Sequence, residues 1–114
     1  MNIFQSLINE IDDKIPVIQK NFDNYQNEFF TKKPPEFFCL ELNGEAGELA
    51  NLEKKQWKGR EINTEDFADE AADVFIALFN YCNSRNINLA DALTKKLQKI
   101  EDIRLSRKQE GLDY

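Results

Sequence analysis

Apolar side chains recur at positions 4, 7, 8, 11, 15, 18, 22, 25 and 29, in steps of three and four apart from the adjacent pair Leu7-Ile8. That spacing suits one regular structure, an α-helix with an apolar face along its length. The rest of the chain repeats the pattern between clear breaks, and no stretch alternates as a strand would. Pro16 interrupts the first run, so either one helix is kinked there or a first turn ends and a longer helix starts. Lys32-Lys33-Pro34-Pro35 is the first firm break, because a residue before proline is biased away from the helical region. A second helix is expected from about Pro35 to Trp57, with a loop over residues 58–63 around Gly59. Asn63 or Thr64 can cap a third helix, whose first turn carries Glu65 and Asp66 as the helix dipole favours. It should end near Asn83. After a short turn over residues 84–86, Asn88 with Asp91 caps a fourth helix to about Arg107, followed by a frayed tail. The expected architecture is all-α, a bundle of four helices.

With 114 residues, one domain over 1–114 is the default. Lys and Arg number 15 against 21 Asp and Glu, a net charge of −6 without any basic run, which argues against nucleic acid as a partner. No apolar stretch approaches the roughly 18–20 residues that span a bilayer, and the N-terminal residues lack an export signal, so no membrane partner is expected. Two cysteines, Cys39 and Cys82, make no disulfide framework and suit a reducing, cytoplasmic setting. There is no histidine. That absence removes Ser-His and Cys-His catalysis, His-containing zinc sites and the Glu-x-x-His pairs of di-iron bundles.

The acids carry the chemical information. Glu41, Glu45 and Glu48 fall within an arc of roughly 60° on the second helix, bordering Phe38, Leu49 and Leu52. On the third, Glu70 and Asp73 share a side with Val74, Ala77 and Tyr81. A surface helix keeps its acids opposite its apolar face. Carboxylates turned toward a core repel one another and lose hydration, so they need protons or cations. Without histidine or a thiolate pair, the hard oxygen ligands point to Mg²⁺, with Mn²⁺ as a substitute. Gly44 and Gly47 lie inside the same helix, where each costs about 1 kcal/mol relative to Ala. Close approach of a neighbouring helix or of a ligand would account for them.

Glu45-Ala46-Gly47-Glu48, then 21 residues, then Glu70-Ala71-Ala72-Asp73, resembles the Glu-x-x-Glu … Glu-x-x-Asp signature of the MazG-like all-α nucleoside triphosphate pyrophosphohydrolases. The flanking Leu42-Asn43-Gly44 and Leu49, Val74-Phe75-Ile76-Ala77-Leu78, and Lys96-Leu97-Gln98-Lys99 extend the likeness over about residues 35–104. The resemblance implies Mg²⁺-dependent hydrolysis of (deoxy)nucleoside triphosphates to the monophosphate and pyrophosphate, by attack at the α-phosphorus. It implies Glu45, Glu48, Glu70 and Asp73 as metal ligands, in a homodimer or homotetramer. Gly44 stands where many relatives carry a further Glu, which leaves the general base between Glu41 and Glu45. Ile100 stands where the family pattern usually has Asn.

For the substrate, Trp57 can stack on a base, as can Phe38 and Tyr81, although core packing is the better reading for each of them. Asn80, two turns from Asp73 on an apolar side, can both donate to and accept from a base edge. Lys96 falls in the middle of the fourth helix's apolar stripe, with Lys99 about 60° away; either lysine could snorkel or meet a phosphate. Lys58 and Arg60 in the loop could also meet phosphate. Helix three is apolar almost all round, which a short chain cannot cover by itself, so self-association is expected with that helix near the interface. Two alternatives stand beside the triphosphate reading. One keeps the chemistry with phosphoribosyl-ATP, dUTP or dCTP as substrate; the other is a non-catalytic helical oligomerisation module with a degenerate acidic site.

Overall fold

The computed structural model describes residues 2–112. They form four helices: α1 (Ile3–Phe29), α2 (Pro35–Trp57), α3 (Thr64–Ser84) and α4 (Leu89–Gln109). No strand occurs among the described residues, and none of these helices is long and apolar enough to cross a membrane. Two compact units divide the chain. One contains α1 up to Asn21 together with α4, and the other spans Phe22–Asn86, with the end of α1, all of α2 and all of α3.

Local signals set the helix ends. Asn2 Oδ1 accepts from the Gln5 amide at 2.8 Å, satisfying one of the first orphan donors of α1. Pro16 lies inside α1, which runs through it without a break, so the first helix is one element rather than two. Proline has no N–H, so the turn before it lacks one rung of the helical ladder. Pro34 is extended and Pro35 opens α2 at its first position, where a missing N–H costs nothing. Asn63 occupies the cap position of α3 as expected, but its side chain makes no capping bond; its carbonyl accepts from the Asp66 amide at 3.0 Å instead. Asn88 does cap α4, accepting from the Asp91 amide at 3.1 Å.

In the first unit, Gln19 brackets the start of α4: its Nε2 donates to the Ile87 carbonyl at 2.7 Å and its Oε1 accepts from the Leu89 amide at 3.0 Å. Ile11 and Ala90 are the buried apolar residues of this unit. In the second, α2 and α3 pack as a hairpin across the loop of residues 58–63. Phe79 is fully buried, stacked on Phe22 with ring centroids 5.0 Å apart and edge-on to Phe75 at 4.8 Å. Phe38, Ala77 and Cys82 complete the small core, and burial raises the Cys82 thiol above its ordinary pKa. Much apolar surface stays outside it. Leu40 is 73% exposed, Trp57 87% and Phe75 50%.

Candidate functional site

The hairpin brings three acids together. Glu45 comes from α2, and Glu70 and Asp73, one turn apart, come from α3; each offers a carboxylate oxygen within 4.8 Å of the others. All three are half-buried. Glu45 Oε2 and Glu70 Oε2 are shut off from solvent with no hydrogen-bond partner. Orphaned acceptors of this kind are costly unless something satisfies them.

The protonation states carry the same tension. The Glu70 carboxyl is pushed up to about 7, first by burial and then by the close approach of the Glu45 and Glu48 carboxyls and the repulsion of their charges. Glu45 is held down by the neighbouring Glu70 carboxyl, yet burial and the charges of Glu48 and Asp73 leave it raised overall. The three carboxyls concentrate negative charge in one place. Mg²⁺ or Mn²⁺ suits such a donor set, since hard divalent ions take carboxylate oxygen and would satisfy both orphaned atoms.

The other anticipated residues divide. Glu48 is exposed and outside the tightest trio, but it acts electrostatically on both Glu45 and Glu70. Glu41 is exposed and does not belong to the trio. Trp57, the last residue of α2, packs into no core. Lys96 and Lys99 are exposed on α4, in the other unit. The space in which a Cβ would stand is open at both Gly44 and Gly47, so close packing within this chain does not explain either glycine.

Asn80 is 7% exposed, and its Nδ2 donates to Gln26 Oε1 over a long 3.4 Å. It lines a cleft of about 340 Å³ with Gln26, Asn27, Asn83, Phe38 and the Lys32–Lys33 pair. This cleft joins the end of α1, the α1–α2 linker, the start of α2 and the end of α3. Asn80 lies seven residues beyond Asp73 on α3, and Phe38 seven before Glu45 on α2. The cleft is thus about 10 Å from the acids along the hairpin, towards its open end. Of its residues only Asn80 and Phe38 stand out in the sequence. The available signal was the run of carboxamides, Gln26, Asn27, Asn80, Asn83 and Asn86, which only the closed fold gathers.

Comparison with models of protein families, with curated proteins and with solved structures gave no match for this chain.

Proposed function

We propose that this chain is a divalent-metal-dependent hydrolase that splits nucleoside triphosphates into the monophosphate and pyrophosphate, as its resemblance to the MazG-like pyrophosphohydrolases implies. The carrying observation is the trio of Glu45, Glu70 and Asp73, with two buried carboxylate oxygens left without partners. These three residues, with Glu48 beside them, would hold Mg²⁺ or Mn²⁺. A bound ion supplies Lewis-acid polarisation of phosphoryl oxygens and acidifies a water. The chain's own groups do the rest. Glu41, exposed one turn from Glu45 on the same stripe, is one candidate general base, and Glu45 is the other. The cleft at Asn80, about 10 Å along the hairpin, offers carboxamide donors and acceptors to a base edge and Phe38 as an aromatic wall. Trp57, at the loop end of α2, lies at the opposite end of the hairpin from that cleft, and Lys96 and Lys99 belong to the other unit, so none of the three enters this reading.

The reading includes self-association. Phe75 and Ile76 on α3 and Leu40 on α2 expose large apolar surfaces, and Gly44 and Gly47 leave open ground beside them. A homodimer or homotetramer would cover these faces. The same exposed surface favours a second reading, a non-catalytic oligomerisation module that keeps a degenerate acidic cluster. Free Cys39 and Cys82 accord with a cytoplasmic setting for either.

Pyrophosphate release from a panel of ribo- and deoxyribonucleoside triphosphates, with phosphoribosyl-ATP, dUTP and dCTP included, tests the reaction. Release should require Mg²⁺ or Mn²⁺ and disappear in Glu70→Gln and Asp73→Asn while both variants stay folded. Full activity in either variant sinks the assignment. No release from any substrate leaves the oligomerisation module.

A further inference from the structure

The loop end of the α2–α3 hairpin holds a second feature. Lys54, Lys55, Lys58 and Arg60 line one concave cavity of about 230 Å³ together with Asn51. The chain is acidic overall, and Glu53 and Glu61 are close in sequence, yet none of the four cations forms an ion pair among the described residues. Cations that served only to solvate a helix end could spread apart and relieve their repulsion.

The backbone gathers them instead. Gly59 takes a left-handed φ of +100°, which glycine adopts at little cost. The Gly59 amide donates to the Gln56 carbonyl at 2.9 Å and the Arg60 amide to the Lys55 carbonyl at 3.1 Å. This pair of bonds is the Schellman closure of a helix. It folds Arg60 back against the last turn of α2, beside Lys54, Lys55 and Lys58. The carboxyl-terminal pole of α2 adds favourable potential for cations there, but Arg60 lies outside the helix and is placed by the turn alone.

We propose that this cavity binds a polyphosphate chain. Lys55 lies ten residues beyond Glu45, about 15 Å along α2, and helical side chains lean toward the amino-terminal end, here toward the acids. Resting on the hydrolase reading, the hairpin then presents an ordered track. The carboxamide cleft lies at the open end, the acids in the middle and the cations at the loop end. A nucleoside triphosphate laid along it has its base in the cleft, its α-phosphorus at the acids and its terminal phosphate pointing toward the lysines, and pyrophosphate is the fragment the cavity takes up on release.

The test uses inorganic pyrophosphate and tripolyphosphate, titrated calorimetrically into the full chain in EDTA at low salt. Without divalent ions the acids repel these probes, so binding reports the cations alone. The wild-type protein should bind both, and more weakly as salt rises. Lys54→Met/Lys58→Met should weaken binding about tenfold per cation removed, and the double Lys→Arg variant should restore it. Gly59→Ala, which removes no charge but strains the turn, should also weaken it. Lys20→Met/Lys108→Met removes two cations elsewhere and should leave it unchanged. With Mg²⁺ present, the Met pair should raise KM and relieve inhibition by pyrophosphate. Absence of binding in EDTA, or equal loss in the Lys20/Lys108 control, overturns the cavity even where triphosphate hydrolysis is found. Binding without hydrolysis of any triphosphate keeps the cavity and overturns the reaction.

Discussion

Metal binding at the acidic trio should release protons, and the number is set by Glu70. Its carboxyl is pushed up to about 7 in the metal-free protein. At pH 6 that group carries about 0.9 of a proton and at pH 8 about 0.1. A divalent ion needs the deprotonated carboxylate, so the proton must leave as the ion enters. Mg²⁺ binding at pH 6 is therefore expected to release about 0.9 proton per site, with Glu45 adding to this because it too is raised, and at pH 8 only about 0.1. The same competition makes the apparent affinity about tenfold weaker at pH 6 than at pH 8. Isothermal titration in two buffers of different ionisation enthalpy counts the protons directly, and Glu70→Gln should remove most of the release. Fewer than about 0.3 proton at pH 6, or the same count in Glu70→Gln, would refute a metal seated at Glu70.

In EDTA, the folded chain keeps a proton on Glu70 between pH 4.5 and about 7 that the unfolded chain has already lost. Stability from this group is thus fully present below about pH 4.5, falls as pH rises to about 7 and then levels off, and the difference in melting temperature between wild type and Glu70→Gln should trace that fall. A flat difference across the range counts against the raised carboxyl. Light scattering at micromolar concentration should give at least a dimeric mass, lowered by Phe75→Glu, because Phe75 is half exposed on an apolar helix face; a monomeric wild type refutes the self-association argument.

Which features were legible in the sequence follows from how local their causes are. Pro35, Gly59 and Asn88 act within a turn of themselves, so the ends of α2 and the start of α4 could be read from neighbours alone. The cap of α3 is the instructive exception: Asn63 holds the right place, but its backbone and not its side chain receives the bond, a choice of rotamer that residue type does not dictate. Glu45, Glu70 and Asp73 were legible because two helical stripes on a hairpin must face each other once the loop is short. The carboxamide cleft was not, since Gln26 and Asn80 are 54 residues apart and meet only after three segments close. The cations at the loop end illustrate the same limit at short range. Lys54, Lys55, Lys58 and Arg60 read as a solvated run until the Schellman closure turns Arg60 back over Lys55. Apolar periodicity has a limit of its own, since a 3.6-residue repeat says that a face is covered and not which chain covers it. Phe75 and Ile76 keep the helical period of α3, yet within one chain they are 50% and 43% exposed. In the self-association proposed above, a second copy would supply the cover, and the acids two to six residues away on the same helix would sit close to it.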